Sequence, residues 1–277
     1  MTQYEKALAF QALHQRPQPF AIPNPWDVGT ARILTAIGFE ALATTSAGLA
    51  FSLGRRDAEG ALSRDETLAN AGAIAAATAL PVSADLENGF GDAPQTVAET
   101  IRLAAAAGLV GGSIEDATGR SDQPLYDIGH AVERIAAAVE AARSLDFPFT
   151  LVARAENFLH GRPDLDDTIR RLQAYQAAGA DVLFAPGLPD AEAIRQLCAA
   201  LDKPVNVVMG RKGTHFTLPQ LGELGVRRVS LGSSLSRAAL GGFIRAAREI
   251  ARDGSFGFID EAPDFAEVSA YMAPRAD

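Results

Sequence analysis

Short apolar runs alternate with longer amphipathic stretches along most of the chain. The runs are rich in Val, Ile, Leu and Phe, whereas the stretches between them are rich in Ala, Leu, Glu and Arg, which favour helices. Strands that alternate with helices are typical of parallel βα units. The pattern predicts eight strands, at Phe20–Asn24, Ala41–Ser46, Pro81–Glu87, Gly111–Asp116, Phe149–Glu156, Asp181–Pro186, Pro204–Met209 and Arg227–Gly232.

A helix is predicted after each of these strands. The sequence SRDE that begins at Ser63 is a capping box, and Gly108, Gly179 and Gly225 stand where glycine commonly ends a helix. The predicted helices are Asp27–Ile37, Ser63–Ala79, Ala93–Ala107, Ile128–Ser144, Leu165–Ala178, Asp190–Leu201, Leu218–Leu224 and Leu235–Arg252.

Eight strand–helix pairs favour a (β/α)8 TIM barrel over an open doubly wound sheet, partly because no GxGxxG motif follows the first strand. No linker rich in Pro, Gly and Ser divides the chain, so we expect a single domain over residues 1–277. The barrel should cover about residues 18–252, with a C-terminal helical extension over about 256–277. The amphipathic segment Phe256–Met272 can pack on its own barrel or on a neighbouring subunit.

Composition narrows the function classes. The chain has 25 Lys and Arg residues against 34 Asp and Glu residues, a net charge of −9, which disfavours nucleic acids and anionic membranes as partners. A single cysteine, Cys198, excludes an intramolecular disulfide and a zinc site built from several cysteines. Neither a secretory signal nor an apolar run long enough to span a bilayer is present, so a cytoplasmic location is predicted.

Acidic side chains cluster at predicted strand ends, where the active site of a (β/α)8 barrel lies. Asp85 and Glu87 are two residues apart and should share one face of their strand, and Glu115 ends the neighbouring strand. Converging carboxylates repel one another unless a cation neutralises them, and oxygen ligands suit Mg²⁺, or else Mn²⁺, better than zinc. The alternative is that these acids are solvated, cap helices or pair with Arg120 and Arg154.

Arg154 is unusual because it interrupts the apolar strand FTLVARAE. If it points into the barrel mouth, its planar guanidinium can hold a carboxylate or phosphate through two hydrogen bonds. The alternative is an internal ion pair with Glu115 or Glu156, and both roles are compatible.

The segment Ser46, Ala47 and Gly48 follows the second predicted strand. It offers a hydroxyl and backbone N–H groups that can cradle a carboxylate, although a simple turn explains the same residues. A cation, an arginine and such a cradle together suit a small substrate with two or more negative groups.

Several segments, in order, resemble the isocitrate lyase/phosphoenolpyruvate mutase superfamily: NPWD, GFEAL, SAG, SADLENGFG, SIED, ARAENF and PVNVV. The resemblance covers about residues 18–250, and the pairing of DLENGFG with a later IED is its most specific part. Members of this superfamily are (β/α)8 barrels that bind Mg²⁺ and a 2-oxo or 2-hydroxy acid. Their last helix is typically exchanged between subunits, which implies a homo-oligomer, either a dimer or a tetramer.

The resemblance also assigns roles to residues. It implies that Arg154, Glu115 and Asp57 are catalytic and that Arg154 contacts the substrate. The implied metal ligands are Asp85 as the principal carboxylate, with Glu87, Glu115 and Asp57 completing the shell largely through water. The implied substrate contacts are Ser46 with the N–H groups of Ala47 and Gly48, together with Asp85, Arg154 and, toward the distal group, Asn206.

The chain departs from the superfamily in one loop. The lyases carry a K-(K/R)-C-G-H segment after IED whose cysteine is the general acid/base, whereas residues 117–126 here, ATGRSDQPLY, contain no Cys, Lys or His. The mutases and phosphonopyruvate hydrolases begin this loop with EDK, but this chain has EDA. The candidates for a replacement proton donor are Asp116, Asp122, Tyr126 and His215, whereas His14, His130 and His160 look less well placed.

The expected function is therefore a Mg²⁺-dependent carbon–carbon lyase or decarboxylase. It should act on small 2-oxo or 2-hydroxy (di)carboxylates through a metal-stabilised enolate, and decarboxylation needs a specialised acid least. Two alternatives stay open: a phosphonopyruvate-type enzyme that cleaves a carbon–phosphorus bond, and a catalytically reduced protein that only binds a 2-oxo acid.

Overall fold

The eight predicted strands are all present in the computed structural model of the chain, which describes residues 1–57, 60–210, 213 and 215–273. They pair in parallel in the order β1-β8-β7-β6-β5-β4-β3-β2 and form a nearly closed barrel, which confirms the (β/α)8 fold. The strands are β1 (Phe20–Ile22), β2 (Leu42–Ala43), β3 (Val82–Asp85), β4 (Gly111–Glu115), β5 (Thr150–Arg154), β6 (Val182–Phe184), β7 (Val205–Val208) and β8 (Arg228–Ser230).

Helices follow the strands as predicted, and the structure adds two that the pattern does not predict, α1 and α3. A capping box between Thr2 and Glu5 begins α1, and the Thr45 side chain caps α3. The helices are α1 (Gln3–Gln15), α2 (Val28–Ile37), α3 (Ser46–Ser52), α4 (Arg64–Ala76), α5 (Pro94–Ala106), α6 (Ile128–Arg143), α7 (Leu165–Ala177), α8 (Ala191–Ala199), α9 (Leu218–Glu223), α10 (Ser234–Asp253) and α11 (Phe265–Met272).

Asn24 ties the strands together where the barrel closes. Its side-chain Nδ2 donates to the carbonyl of Thr44, just beyond β2 (2.9 Å). Its Oδ1 accepts hydrogen bonds from the backbone N–H groups of Leu231 and Gly232, just beyond β8 (2.8 and 3.0 Å). This buried amide therefore fixes the carboxyl ends of three strands relative to one another, at the end where the site lies.

The helix α1 closes the amino-terminal end of the barrel. Its Phe10 side chain reaches so far inward that a Cβ on Gly111 of β4 would lie 2.9 Å from Phe10 Cε1. The same Cβ would lie 2.8 Å from the Thr150 carbonyl, so only glycine fits at this position. Phe10 and His14 thus form an aromatic floor beneath the barrel interior, with Phe20 packed against them.

His14 is buried in this floor. Its Nδ1 lies 2.8 Å from the Phe10 carbonyl, and its ring meets the rings of Phe10 and Phe20 edge-on. Burial and the nearby positive charge of Arg228 lower the pKa of His14 to about 3, which the hydrogen bond to Phe10 offsets only in part. His14 is therefore neutral in the folded protein throughout the pH range in which a histidine in an unfolded chain becomes charged.

We expect His14 to make folding stability depend on pH. Below about pH 6.5 the unfolded chain gains a proton on His14 that the folded protein does not accept until near pH 3. The free energy of unfolding should therefore fall by about 1.4 kcal/mol for each pH unit lost between these values. Urea unfolding at pH 7.5 and at pH 5.0 measures how much unfolding free energy is lost between the two pH values. This loss should be about 2 kcal/mol smaller for His14→Phe than for the wild type.

The matched control is His215→Gln, which changes an exposed histidine. It should lose as much stability between the two pH values as the wild type. Equal losses in all three proteins would show that His14 does not carry this pH dependence.

The predicted C-terminal helix is present, although residues 274–277 of the predicted extension lie outside the described residues. After α10 the chain forms a short 3-10 helix (Gly257–Glu261) and then α11, which lies against α2, where Arg32 Nη1 donates to the Met272 carbonyl (2.7 Å). Phe243 and Phe265 expose 70% and 89% of their surface, so an apolar face is left open on this single chain. The exchange of a helix between subunits, the homo-oligomer and the single-domain boundaries stay predictions.

The described helices include none that is both long enough and apolar enough to cross a bilayer. The longest of them, α10, has 20 residues and carries several arginines and acids along its length.

Candidate active site

Two adjoining cavities open at the carboxyl ends of the strands, and Ser46, Asp57, Arg154 and Leu159 line both. The first, here the barrel cavity, has a volume of about 250 Å³ and descends between the strands. The second, here the acidic cavity, has a volume of about 310 Å³. The barrel cavity is also lined by Thr44, Asp85, Val152, Phe184, Asn206, Val208, Arg228 and Ser230, and the acidic cavity by Glu87, Glu115, Glu156 and His160.

A larger groove of about 650 Å³ lies at the opposite end of the barrel, beside α1. Its wall includes the ion pair between Arg143 and Asp181 (2.6 Å), which joins α6 to the start of β6. Since catalytic groups of this fold lie at the carboxyl ends of the strands, the two smaller cavities are the candidate site.

Arg154 is the centre of the site. Its guanidinium contacts three carboxylates: Nη1 lies 2.9 Å from Asp85 Oδ1, Nη2 lies 3.1 Å from Glu115 Oε2, and Nε lies 2.8 Å from Glu156 Oε1. Only 14% of the side chain is exposed, and one face of the guanidinium covers the Phe184 ring at 5.1 Å. Arg154 therefore lines both cavities and forms the internal ion pairs with Glu115 and Glu156, while its contact with a substrate stays a prediction.

Negative charge exceeds positive charge around this arginine. Burial lowers the pKa of Arg154, but Glu115, Glu156 and Asp85 raise it by more, so the guanidinium stays charged. Burial raises the pKa of Glu115 well above its ordinary value; Arg154 opposes this, while Glu156, Asp85 and Glu87 raise it further. The raised pKa of Glu115 shows that one guanidinium does not fully offset the burial and mutual repulsion of these carboxylates.

Two of the predicted metal ligands, Asp85 and Glu115, converge on Arg154. Among the residues that the structure describes, no group of three or more His, Cys, Asp or Glu side chains is arranged to hold a metal ion. The reason is that the guanidinium lies between the carboxylates of Asp85 and Glu115. The available donors are carboxylates and a hydroxyl, the oxygen ligands that suit a hard cation such as Mg²⁺. The metal roles of Asp85, Glu87, Glu115 and Asp57 stay predictions.

Glu87 lines the acidic cavity, but the alternation of side chains along a strand does not explain its position. The strand β3 ends at Asp85, and Glu87 has a φ of 47°, in the left-handed region. Its N–H points back to Asp85 Oδ1 (3.4 Å), and its carbonyl accepts a hydrogen bond from the Glu115 N–H (3.0 Å). The prediction that Asp85 and Glu87 share one strand face is therefore wrong, although both line the site.

The loop that carries Glu87 is held by Arg134, which lies on the apolar face of α6 and is almost fully buried. Arg134 donates hydrogen bonds to the carbonyls of Asn88, Gly91 and Asp92, and its guanidinium covers the Tyr126 ring at 4.2 Å. Its place within the apolar stripe of a helix is the sequence signal that could have identified this arginine.

Tyr126, one candidate proton donor, helps to hold the loop after β3 in place. Its hydroxyl donates to Asp92, and burial together with this hydrogen bond raises the pKa of Tyr126 to about 12. Arg120 pairs with the same Asp92 carboxylate (2.9 Å), so the loop 117–126 is joined to the loop after β3. Tyr126 lines neither cavity.

The other candidate donors are also displaced from the site. Asp116 is buried, and its carboxylate accepts hydrogen bonds from the Glu156 N–H (2.8 Å), Arg171 Nη1 (3.0 Å) and the Tyr175 hydroxyl (2.6 Å). Asp122 and His215 are exposed and line neither cavity.

His160, which looked less well placed from the sequence, lines the acidic cavity. Its backbone N–H donates to the Glu156 carbonyl (3.1 Å), so a turn just after β5 brings the ring to the site. Sequence alone does not reveal this placement, because the turn depends on how the chain leaves β5.

Ser46 begins α3, not a turn. Its N–H and Oγ donate to Asp85 Oδ2 at 3.3 and 3.0 Å, and the Gly48 N–H donates to the Thr45 hydroxyl (3.2 Å). A substrate carboxylate would therefore have to compete with Asp85 for Ser46. The predicted substrate contacts of Ser46, Ala47 and Gly48 stay predictions.

Two buried polar side chains lie deeper in the barrel cavity. Asn206 of β7 donates from Nδ2 to Ser230 Oγ (3.1 Å), while its Oδ1 has no hydrogen-bond partner among the described residues. Arg228 of β8 is 4% exposed, and its Nε and Nη1 also lack partners within the described part of the chain. Arg228 was missed because the pair Arg227–Arg228 does not reveal which side chain points inward until the register of β8 is known.

Known proteins resemble this chain over most of its length. A profile of the phosphoenolpyruvate phosphomutase family matches residues 10–251. A solved Burkholderia cenocepacia protein, for which a lyase or mutase activity has been suggested, is 61% identical, with a TM-score of 0.95 over 98% of this chain and 97% of that one. A phosphonopyruvate hydrolase solved with oxalate and Mg²⁺ is 27% identical, with a TM-score of 0.86 over 98% and 95% of the two chains. Oxaloacetate decarboxylase of Ectopseudomonas mendocina is 31% identical over 244 residues, 86% of this chain and 81% of the relative.

Proposed function

Because this chain belongs to the phosphoenolpyruvate phosphomutase family, within the isocitrate lyase/phosphoenolpyruvate mutase superfamily, we propose that it is a Mg²⁺-dependent carbon–carbon lyase or decarboxylase. Its substrates would be small 2-oxo or 2-hydroxy (di)carboxylates. The observation that carries the proposal is the single guanidinium of Arg154 held among Asp85, Glu115 and Glu156 at the mouth of the barrel. A relative that decarboxylates oxaloacetate, and another that binds oxalate with Mg²⁺, support the same substrate class.

The donor set fits the metal that this function requires. Asp85 would be the principal carboxylate, with Glu87, Glu115 and Asp57 around it, and all four line the two cavities. A bound Mg²⁺ would polarise the 2-oxo group and stabilise the negative charge that develops on its oxygen.

Arg154 would bind and orient the substrate. Its guanidinium offers N–H donors in one plane, which matches a carboxylate. Glu156 would keep its hold on Nε when the two Nη groups turn to the substrate, and the Phe184 ring lies against one face of the guanidinium. Ser46 would contribute its hydroxyl and N–H to the same carboxylate when the substrate displaces Asp85 Oδ2.

Decarboxylation requires fewer proton-transfer groups from the protein than retro-aldol cleavage does. In decarboxylation the bond to the leaving carboxylate breaks, its electron pair moves toward the 2-oxo group, and a proton from water can reach the carbon after CO₂ has left. Retro-aldol cleavage instead needs a base that removes a hydroxyl proton as the bond breaks. The four candidates Asp116, Asp122, Tyr126 and His215 do not line the cavities, so the base would have to be His160 or a carboxylate of the acidic cavity.

The test is a substrate panel assayed with Mg²⁺ and with EDTA. We expect pyruvate release from oxaloacetate above the rate of Mg²⁺ alone, with the Asp85→Ala variant as the protein control. No release of pyruvate or glyoxylate from any four- to seven-carbon acid would contradict the proposal. Phosphate release from phosphonopyruvate would instead support carbon–phosphorus chemistry, and metal-dependent binding without turnover would support a binding protein.

A further inference from the structure

The barrel interior contains a buried positive charge that the proposed chemistry does not use. Arg228 is only 4% exposed, and within the described chain it forms no ion pair. Its Nε and Nη1 have no hydrogen-bond partner there either. Buried charges in proteins are normally paired, because an unpaired one loses its hydration without compensation. The burial of Arg228 therefore carries a free-energy cost that a bound anion would offset.

The position of Arg228 links it to the site. It lines the barrel cavity together with Asp85 and Arg154. Along the sheet, Arg154 pairs with Phe184, Phe184 with Asn206, and Asn206 with Arg228. The two arginines are thus three strand spacings of roughly 4.8 Å apart along the barrel wall.

An apolar floor lies on the other side of the guanidinium. The Phe10 ring is 5.7 Å from Arg228 Cζ, and neutral His14 packs against Phe10. Neither residue supplies a negative charge, so a counter-ion for Arg228 would have to enter from the cavity.

Polar groups beside Arg228 complete the pattern of an anion site. Asn206 contacts Ser230 through Nδ2, which leaves Oδ1 without a partner among the described residues. The two ends of an amide are interchangeable by rotation, so Asn206 can instead accept from the Ser230 hydroxyl and present Nδ2 to the cavity. An anion there would receive hydrogen bonds from both Arg228 and Asn206.

We propose that Arg228, with Asn206 and Ser230, forms a second anion subsite deep in the barrel cavity that binds the distal carboxylate of a dicarboxylic substrate. This inference rests on the proposed function, in which Arg154 and Ser46 hold the 2-oxo acid end of the same molecule. It narrows the substrate class from 2-oxo acids in general to dicarboxylates. A ligand-free protein then keeps Arg228 unpaired, and the ion pair forms only on binding.

The binding test compares matched pairs of ligands by calorimetry in the presence of Mg²⁺. The pairs are 2-oxoglutarate with 2-oxopentanoate, and 2-oxoadipate with 2-oxohexanoate; in each pair a terminal carboxylate replaces a methyl group, and neither dicarboxylate has a carboxylate β to its oxo group. We expect the wild type to bind the dicarboxylate of at least one pair tenfold or more tightly than its partner. Arg228→Met should remove this preference and change monocarboxylate affinity by less than threefold.

The matched control is Arg227→Met, which removes the same charge from the neighbouring, partly exposed residue. This variant should keep the preference of the wild type. Equal affinity for both members of each pair in the wild type, or equal weakening of both by Arg228→Met, would overturn the subsite. Failure of the wild type to bind any member of either pair would overturn both the subsite and the proposed function. Binding without a preference for dicarboxylates would overturn the subsite alone.

Thermal unfolding separates ligand binding from a structural role. Met matches the length of the arginine stem and removes the unpaired charge, so the ligand-free Arg228→Met protein should melt at the same or a higher temperature than the wild type. Dicarboxylate with Mg²⁺ should raise the melting temperature of the wild type and not that of the variant. A lower melting temperature with an unchanged ligand preference would show that Arg228 serves only the fold.

Discussion

Replacing Asp85 by alanine is expected to abolish Mg²⁺-dependent binding of 2-oxo acids, with a loss of affinity of about 100-fold or more. Asp85 ends β3, and its two carboxylate oxygens contact Arg154 on one side and Ser46 on the other. It is therefore the carboxylate that joins the guanidinium to the first turn of α3. Calorimetric titration of oxalate with Mg²⁺ into the wild type and the variant measures the loss.

Two further variants make this result specific. Asp85→Asn keeps the shape of the side chain and should also lose metal-dependent binding, because the amide carries no charge. Asp166→Ala removes an exposed carboxylate at the start of α7, outside both cavities, and should bind like the wild type. Binding of oxalate and Mg²⁺ by Asp85→Ala with wild-type affinity would remove Asp85 from the metal site.

The second large effect is expected at Arg154. Arg154→Lys should lower kcat/KM by about 10²–10³-fold, the loss typical when a charge-stabilising donor is removed from an active site. Lysine keeps the positive charge but cannot offer two parallel N–H donors to a carboxylate. Steady-state kinetics on the best substrate of the panel provide the measurement.

Arg154→Met should also destabilise the protein. It leaves Asp85, Glu115 and Glu156 facing one another in a mostly buried site, and breaking a buried ion pair in this way costs about 3–5 kcal/mol. Arg154→Lys should retain most of that stability, so urea unfolding distinguishes the loss of charge from the loss of geometry. Full activity in Arg154→Lys would show that the planar guanidinium does not hold the substrate.

The barrel could be predicted because the pattern of an apolar strand followed by an amphipathic helix is repeated eight times. This pattern can be recognised without knowing how the connecting loops fold. The two helices absent from the prediction had local signals, since Thr2 and Glu5 form a capping box and Thr45 caps α3. The short strand β2 was predicted too long because Ser46, which closely follows the apolar run in the sequence, begins a helix instead.

The site could be predicted where it depends on strand ends and not where it depends on loops. Asp85, Glu115 and Arg154 lie at the ends of β3, β4 and β5, so their convergence follows from the fold. Glu87 and His160 sit in turns beyond those ends, and no periodicity describes their backbone. For the same reason the candidate proton donors of the loop 117–126 could be named from the sequence but not placed.

The most direct test of the metal-assisted chemistry is a crystal structure of the protein with Mn²⁺ and oxalate, in which anomalous scattering locates the metal. We predict a single metal peak at the mouth of the barrel, roughly 2.1 Å from an Asp85 oxygen, by analogy with Mg²⁺ distances. The Glu115 carboxylate should contact the same ion through a bound water. The Arg154 guanidinium should have turned from Asp85 to the oxalate. A structure with oxalate bound but no metal beside Asp85, or with Arg154 still paired to Asp85 and Glu115, would contradict the central claim.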